Sequence, residues 1–354
     1  MSKFPSSIPA FETSARTRIP EAQWAWVVGA AERGRTYGRS LDQFSEFGLR
    51  PSVLAGVEST SLDTTWLHHK VSAPLLAAPI GHLTQFHQSG EVGVIEACAE
   101  KNIHCFVSMH TRRSLEVLAK AAGSSGWSYQ VYLYSEPAVV ADQIARAVGL
   151  GASSVVVTVD SCHRSPSYQR QEMPWDARNH GQRDEAGLPP SRNDRIWNWS
   201  MVADLIRVLD VPLILKGVQS VADAAKAIDV GFRGVWLSNH GGRVNETDQS
   251  LIREIGEIRE KIGHAVPLVV DGGFRTGGDI AKALLLGASQ VALGRPLIYG
   301  LICGGGEGVS EVIGIARREL GLVLGTLGIA NLQDLVAHRD QVFDAFAHRV
   351  RSRI

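Results

Sequence analysis

Eight short apolar runs, each closing on small or polar residues and followed by a helix-like stretch, set what this chain of 354 residues can fold into. They are "APLLAAPIG" (73–81), "IHCFVSMH" (103–110), "WSYQVYLY" (127–134), "SSVVVTVD" (153–160), "VPLILKG" (211–217), "GVWLSNHGG" (234–242), "VPLVVDGG" (266–273) and "SQVALGRP" (289–296). Near-continuous Val, Ile and Leu suits a strand covered by helices on both faces, which is the environment of a parallel sheet. The stretches between them, such as "GEVGVIEACAEKN", "AVVADQIARAVGLGA", "VADAAKAIDVGF" and "GGDIAKALLLGA", have helical patterns. Eight β/α units is the count that closes a (β/α)8, or TIM, barrel. An open doubly wound sheet is the alternative. On the barrel reading, residues 1–354 form one domain, with the barrel over about 71–305. The stretch "PEAQWAWVVGAAERG" reads as part of an N-terminal helical segment because a proline opens it. Residues 306–354 read as helices closing the barrel.

Composition removes several classes of function. Lys plus Arg and Asp plus Glu both number 36, so the chain has no net charge with which to attract nucleic acid or an anionic membrane surface. No apolar run approaches the roughly 18 residues of a membrane-spanning helix. The N-terminus lacks the apolar core of a signal peptide. The four cysteines, Cys98, Cys105, Cys162 and Cys303, show neither a CxxC pair nor metal-ligand spacing, which fits a reducing cytoplasm and predicts no metal site. One connection breaks the rhythm. Residues 161–198 are long, polar and rich in Pro and Arg, and leave the fourth strand on the face where barrels keep their active sites. They read as a flexible active-site loop.

The polar residues that end the strands form a set. Strand 1 ends at Pro79, Ile80 and Gly81, and strand 2 at Ser108, Met109 and His110. Strand 3 carries Gln130 and Tyr132, strand 4 carries Thr158 and ends at Asp160, and strand 5 ends at Lys216. Strand 6 ends at Ser238, His240 and Arg243, strand 7 at Asp271, Gly272, Gly273 and Arg275, and strand 8 at Gly294 and Arg295. A lone strand-end Lys or Asp is ordinarily a solvated rim residue. Lys, Asp, His and Arg at the same end of consecutive apolar strands converge on one mouth. The glycine turns of "DGGFRTGGDI" and "LGRP", each carrying an arginine and leading into a helix start, suit a phosphate, which barrels usually hold after strands 7 and 8.

With "LKGV" (215–218), "SNHGGR" (238–243) and "DGGFRTGGDIAKALLLGASQVALGRP" (271–296), the sequence resembles the FMN-dependent 2-hydroxy-acid oxidases and dehydrogenases over about residues 20–340. That family includes glycolate oxidase, lactate oxidase, mandelate dehydrogenase and the flavin domain of flavocytochrome b2. The resemblance implies FMN as cofactor and oxidation of a 2-hydroxy acid to the 2-oxo acid. It places Pro79, Ile80 and Gly81 along the flavin ring, with Ser108, Gln130 and Thr158 at its polar edge. Lys216 would sit where charge grows on reduction, and Ser238 on the ribityl side. Asp271, Gly272, Gly273, Arg275, Gly294 and Arg295 would hold the ribityl chain and phosphate. His240 would be the base, Asp160 its carboxylate partner, Tyr132 a hydrogen bond to the substrate oxygen, and Arg243 a two-pronged grip on the substrate carboxylate. The resemblance also implies a homotetramer or homo-octamer.

The departures bear on the substrate. The family holds the carboxylate with a tyrosine, a loop arginine and the arginine of the histidine motif. Here the tyrosine position is matched to Trp24, and the loop-arginine position is Ser167, flanked by Arg164 and Arg170. The aromatic residue that follows strand 2 in the family is here Met109, and the family's Ser-Ser pair is Val107-Ser108. Each hydrogen bond lost to a charged group weakens binding by roughly 1.5–3 kcal/mol. A bulkier or atypical substrate is therefore expected, in a pocket adapted by Trp24, Met109 and the loop. Either flanking arginine could instead restore the ordinary grip. Two alternatives stand beside this: an FMN oxidoreductase acting on an amine or a biosynthetic intermediate, and a flavin-binding protein without turnover. The electron acceptor is open between oxygen and a soluble carrier.

Overall fold

A computed structural model describes residues 3–161, 163–172 and 197–345. The barrel strands are β1 Leu75–Ala77, β2 His104–Ser108, β3 Trp127–Tyr132, β4 Ala152–Thr158, β5 Leu213–Val218, β6 Gly234–Leu237, β7 Leu268–Val270 and β8 Gln290–Leu293. They close in the order β7-β8-β1-β2-β3-β4-β5-β6, all neighbours parallel. Closure excludes the open-sheet alternative. A hairpin, Thr64–Trp66 with His69–Val71, precedes the barrel, and Trp66 from it packs with the barrel's inner residues.

The longer helices are α1 Ile8–Arg16, α2 Glu21–Val28, α3 Arg35–Asp42, α4 Gly90–Lys101, α5 Leu115–Ala122, α6 Pro137–Gly149, α7 Trp199–Arg207, α8 Val221–Val230, α9 Leu251–Ile262, α10 Gly277–Leu286 and α11 Arg295–Thr326. Their starts are written locally. Ser220 caps α8, and Thr276 and Asp279 form a reciprocal capping box on α10, each such cap contributing about 1 kcal/mol.

Alternation along the strands divides the core in two. Leu76, Phe106, Val156, Ile214, Trp236, Val269 and Ala292 fill the barrel. Their immediate neighbours, such as Leu75, Ala77, Val107, Val155, Leu215 and Val270, face the helices in the larger outer core. The two-residue period then places Gln130, Thr158, Lys216, Ser238 and Asp271 on the inward face near the strands' C-terminal ends.

The N-terminal segment lies over that same end. Ala31 N–H donates to the Gly242 carbonyl (2.8 Å), Asn239 Nδ2 donates to Ser40 Oγ (2.9 Å), and Gln43 Nε2 donates to the Gly272 carbonyl (3.1 Å). The expectation of helices after 306 is only partly met. The long helix α11 kinks at Gly304 and Gly305, where His87 fills the space a side chain at 305 would need. Beyond it, Leu332–Gln341 is a 3-10 stretch, and Val342–Asp344 pairs antiparallel with Phe47–Leu49. The 161–198 loop falls outside the described residues for most of its length. Its first part is tied down: Ser167 bridges Glu32, and Ser165 N–H donates to the Val244 carbonyl (2.8 Å).

Candidate active site

Three side chains from three strands meet at the mouth. His240 Nδ1 lies 2.9 Å from Asp160 Oδ1, and His240 Nε2 lies 3.4 Å from the Tyr132 hydroxyl. Burial pushes the Asp160 carboxyl up, but His240, Lys216 and Arg164 outweigh it, and the net shift is downward. Asp160 is therefore a carboxylate. An ionised acceptor at this distance fixes the proton on Nδ1 and leaves Nε2 free to accept one. Burial also raises the Tyr132 pKa, so it stays a phenol able to donate. His240 sits in the left-handed region (φ 57°), and its N–H donates to Ser238 Oγ (3.1 Å). A non-glycine residue in that region is strained by roughly 1–2 kcal/mol, so the surrounding contacts hold the imidazole where local preference would not.

Beneath this group, Lys216 Nζ donates to Ser238 Oγ (2.7 Å) and pairs with Asp271 Oδ2 (3.1 Å). Asp271 also accepts from Ser238 Oγ (2.6 Å) and Trp236 Nε1 (3.0 Å). Gln130 Nε2 donates to Thr158 Oγ1 (2.7 Å), while Gln130 Oε1 is buried with no donor among the described residues. An acceptor oxygen left open beside a hydroxyl and near a buried cation fits the polar edge of a flavin, which presents donors and acceptors in one plane.

The anion end is built around the start of α11. A side chain at Gly294 would meet nothing within 4 Å, so there is open space where the helix begins. Gly273 serves packing as much as ligand approach: a Cβ there would lie 1.7 Å from the Ser40 carbonyl oxygen. Both arginines are present, and each is held by protein acceptors. Arg275 pairs with Glu12 of α1 (3.1 Å) and donates to the Tyr299 hydroxyl (3.1 Å). Arg295 donates to the carbonyls of Val27 (3.1 Å), Gly241 (2.9 Å) and Gly29 (3.3 Å). Burial lowers the Arg295 pKa, with the Arg275 charge adding to the effect. Two buried guanidiniums that repel each other beside a helix N-terminus fit a phosphate dianion.

Some expected residues fall elsewhere. Trp24 is buried against Tyr299 (5.8 Å between rings) instead of facing the mouth. The aromatic residue of that segment beside Arg243 is Trp26, with the guanidinium 4.7 Å above its ring. Met109 is buried, and its sulfur accepts from the Tyr132 N–H (3.1 Å). Arg243 donates to the carbonyls of Val27 (2.9 Å) and Trp26 (2.8 Å). Arg164 donates to the Tyr134 hydroxyl (3.0 Å), and Tyr134 stacks on Tyr132 at 4.9 Å and 8°. Ser108 Oγ accepts from the His110 N–H (3.2 Å), and Gly81 lies against His110. Sequence reasoning gave no role to Trp26, Tyr134 or Glu12, and named His110 only as a strand ending. Trp26 and Tyr134 each follow by two residues a position it did single out. On a helix that spacing turns the side chain away, so the docking of α2 decides between Trp24 and Trp26, whereas along an extended chain it keeps the same face, and Tyr134 stacks on Tyr132.

The chain is similar to known proteins along nearly its whole length. The chain matches the family described as FMN-dependent dehydrogenase over residues 15–341. It is 32% identical to an L-lactate oxidase of Roseobacter sp. (strain GAI101), covering 94% of this chain and 93% of that one. It is 28% identical to a peroxisomal (S)-2-hydroxyacid oxidase of Arabidopsis thaliana, covering 93% and 94%. Among solved structures it is similar to a mandelate oxidase with (S)-2-phenylpropionate, at TM-score 0.87 and 25% identity over 96% of this chain and 98% of that one. A lactate oxidase of Pediococcus acidilactici gives TM-score 0.87 at 26% identity, covering 94% and 93%. A TIM barrel with these strand-end residues, matched along nearly its whole length, belongs to the FMN-dependent 2-hydroxy-acid oxidase and dehydrogenase family, an oxidoreductase whose cofactor is FMN.

Proposed function

We propose that the protein oxidises a 2-hydroxy acid to the 2-oxo acid with His240 as the base. The observation that carries this reading is the Asp160–His240–Tyr132 arrangement, with Nε2 of a carboxylate-backed imidazole facing the mouth. FMN, when bound, would take up the two electrons and the second of the two hydrogens that the substrate loses. His240 removes a proton from the substrate's carbinol group, and Asp160 steadies the imidazolium that results. Tyr132 donates to the substrate oxygen. Lys216, Gln130, Thr158 and Ser108 would meet the flavin's polar edge, Ser238 its ribityl side, and Pro79, Ile80 and Gly81 would lie along its ring. Asp271, Gly272, Gly273, Arg275, Gly294 and Arg295 hold the ribityl chain and phosphate. Arg243, cradled by Trp26, orients the substrate carboxylate, and Arg164 stands at the rim.

The names of the similar proteins support oxygen as the acceptor, since those named above are oxidases, and they span small and aryl hydroxy acids. A bulkier or atypical substrate is supported by the ring beside Arg243 being that of Trp26, which has no hydroxyl with which to help hold a carboxylate. A homotetramer or homo-octamer of single-domain subunits, placed in the cytoplasm, completes the proposal. Among the described residues no helix is long and apolar enough to cross a membrane.

An anaerobic screen of 2-hydroxy acids, followed by flavin bleaching and then by admission of air, tests the reading. Bleaching with a hydroxy acid and recovery of colour in air are expected. A flavin that bleaches only with amines would overturn it in favour of the amine alternative, and one that bleaches with neither would leave a flavin-binding protein without turnover.

A further inference from the structure

A cavity of about 720 Å³ opens at the end of the barrel away from His240. Pro74, Pro212 and Pro267, which precede β1, β5 and β7, place it at the strands' N-terminal ends. Its charged lining has one sign. Arg233 from before β6, Arg259 from α9 and Arg339 from the 3-10 stretch line it with His68 and His264. No Asp or Glu is among its described lining residues. The same 3-10 stretch adds apolar surface through Leu332, Leu335 and Val336, the last of them 60% exposed.

The positive charge there lacks a counter-charge. Arg259 is buried and gives its donors to neutral acceptors: Nε to the Gly287 carbonyl (2.7 Å), Nη1 to the Val266 carbonyl (2.8 Å) and Nη2 to Ser289 Oγ (2.9 Å). Arg339 closes on the same turn. A Cβ at position 287 would lie 2.8 Å from Arg259 Cγ and 3.5 Å from Arg339 Nη2, so the glycine lets both arginines approach one point. Burial lowers the Arg259 pKa to about 10, and the Arg339 charge adds to the effect. The guanidiniums of Arg233 and Arg339 have no hydrogen bond or ion pair with a described residue. Like charges gathered in a partly desolvated cleft repel each other, and an anion between them offsets that cost. Two uncharged groups point the same way. Trp66 Nε1, a donor, and Gln290 Oε1, an acceptor, belong to lining residues only 1% exposed, and neither has a partner among the described residues.

We infer that this cavity is a second binding site, for a small organic polyanion carried on an apolar body: a nucleotide phosphate or an aromatic polycarboxylate. Arg339 and Arg233 hold the anionic groups, because a guanidinium fork matches phosphate and carboxylate oxygens alike. Arg259, already satisfied by carbonyls, keeps the cleft positive. Leu332, Leu335 and Val336 receive the apolar part, and the volume is that of an ordinary small-molecule site. The cavity shares no residue with the flavin and substrate positions, so the inference stands whether or not His240 is the base.

The test is calorimetric titration of the FMN-loaded enzyme, freed of unbound FMN, with two probes, ADP and trimellitate. At least one binds saturably with a Kd below about 1 mM, the scale of a few charge-assisted contacts. Binding of ADP marks a phosphate site, and binding of trimellitate a carboxylate site. Arg339→Ala weakens the bound probe about 10- to 100-fold. Arg233→Glu, a reversal at an exposed position that needs no repacking, weakens it in the same direction. The probe also raises the thermal midpoint of wild type and raises that of Arg339→Ala less. Arg318→Ala, whose arginine pairs with Glu311 (2.8 Å) outside the cavity, binds as wild type does. No saturable binding of either probe up to about 10 mM, or equal affinity in wild type, Arg339→Ala and Arg233→Glu, overturns the proposal. Binding that Arg243→Lys abolishes and Arg339→Ala retains also overturns it, because the probe then occupies the substrate mouth.

Discussion

Arg243 and Arg295 share one acceptor, the carbonyl oxygen of Val27, at 2.9 Å from Arg243 Nη1 and 3.1 Å from Arg295 Nε. One arginine is assigned to the substrate and the other to the cofactor phosphate, so the C-terminal end of α2 joins the two ends of the site. That end carries the negative pole of the helix and its unpaired carbonyls, which favour cations. The contact holds both guanidiniums through one neutral carbonyl oxygen.

Arg243→Lys keeps the charge and loses the fork that spans the Trp26 and Val27 carbonyls. The expected result is a fall in kcat/KM of about 10- to 100-fold, since a charge-assisted hydrogen bond is worth roughly 1.5–3 kcal/mol. Steady-state kinetics with the best hydroxy acid measures it. A change under twofold would remove Arg243 from substrate binding.

His240→Asn should still bind FMN and show its visible spectrum, while flavin reduction by substrate slows by about two to four orders of magnitude, the usual contribution of a positioned base. Rapid-mixing absorbance under anaerobic conditions gives the rate. Undiminished reduction would reassign the base.

Asp160 carries a pH signature. Its folded pKa lies below the ordinary value, so the unfolded chain binds a proton more readily in the window between the two. The carboxylate therefore stabilises the fold above about pH 4, and that contribution is lost as pH falls through the folded value. Thermal unfolding of wild type and Asp160→Asn between pH 7 and the acid limb should show the variant less stable at neutral pH, with the gap narrowing on acidification. A gap that widens would contradict the sign.

Gly273→Ala meets the Ser40 carbonyl at 1.7 Å and forces φ 86° on a residue with a side chain. A stability loss of more than about 2 kcal/mol is expected, with weaker FMN retention. Gly278→Ala is the control, because its nearest neighbour, Thr276 Oγ1, lies at an ordinary 3.6 Å. It should be neutral, or stabilising by up to about 1 kcal/mol. Denaturant unfolding and flavin release distinguish the pair.

Trp24 and Trp26 should separate by readout. Trp24→Ala truncates the core against Tyr299 and should lower stability by about 3–5 kcal/mol. Trp26→Ala removes the ring beneath Arg243 and should raise KM about two- to fivefold, the range of an exposed cation–π contact. Reversed behaviour would restore Trp24 as the residue facing the substrate.

The eight apolar runs determined the barrel, because buried parallel strands need unbroken aliphatic sequence and leave a period that composition cannot hide. Their polar endings also determined which residues reach the mouth: Asp160, Lys216 and His240 follow directly from strand direction and alternation. The tertiary structure decided the rest. Residues two apart on a helix point about 200° apart, so only the docking of α2 could select Trp26 over Trp24. Arg275 pairs with Glu12 across 263 positions of sequence, a partnership no local pattern records. His110 lies against Gly81, so the loops after β1 and β2 meet where a side chain at 81 would not fit. Local sequence sets period and direction. Which of two adjacent side chains meets a distant partner depends on how separate elements pack, and that is fixed only when the chain closes on itself.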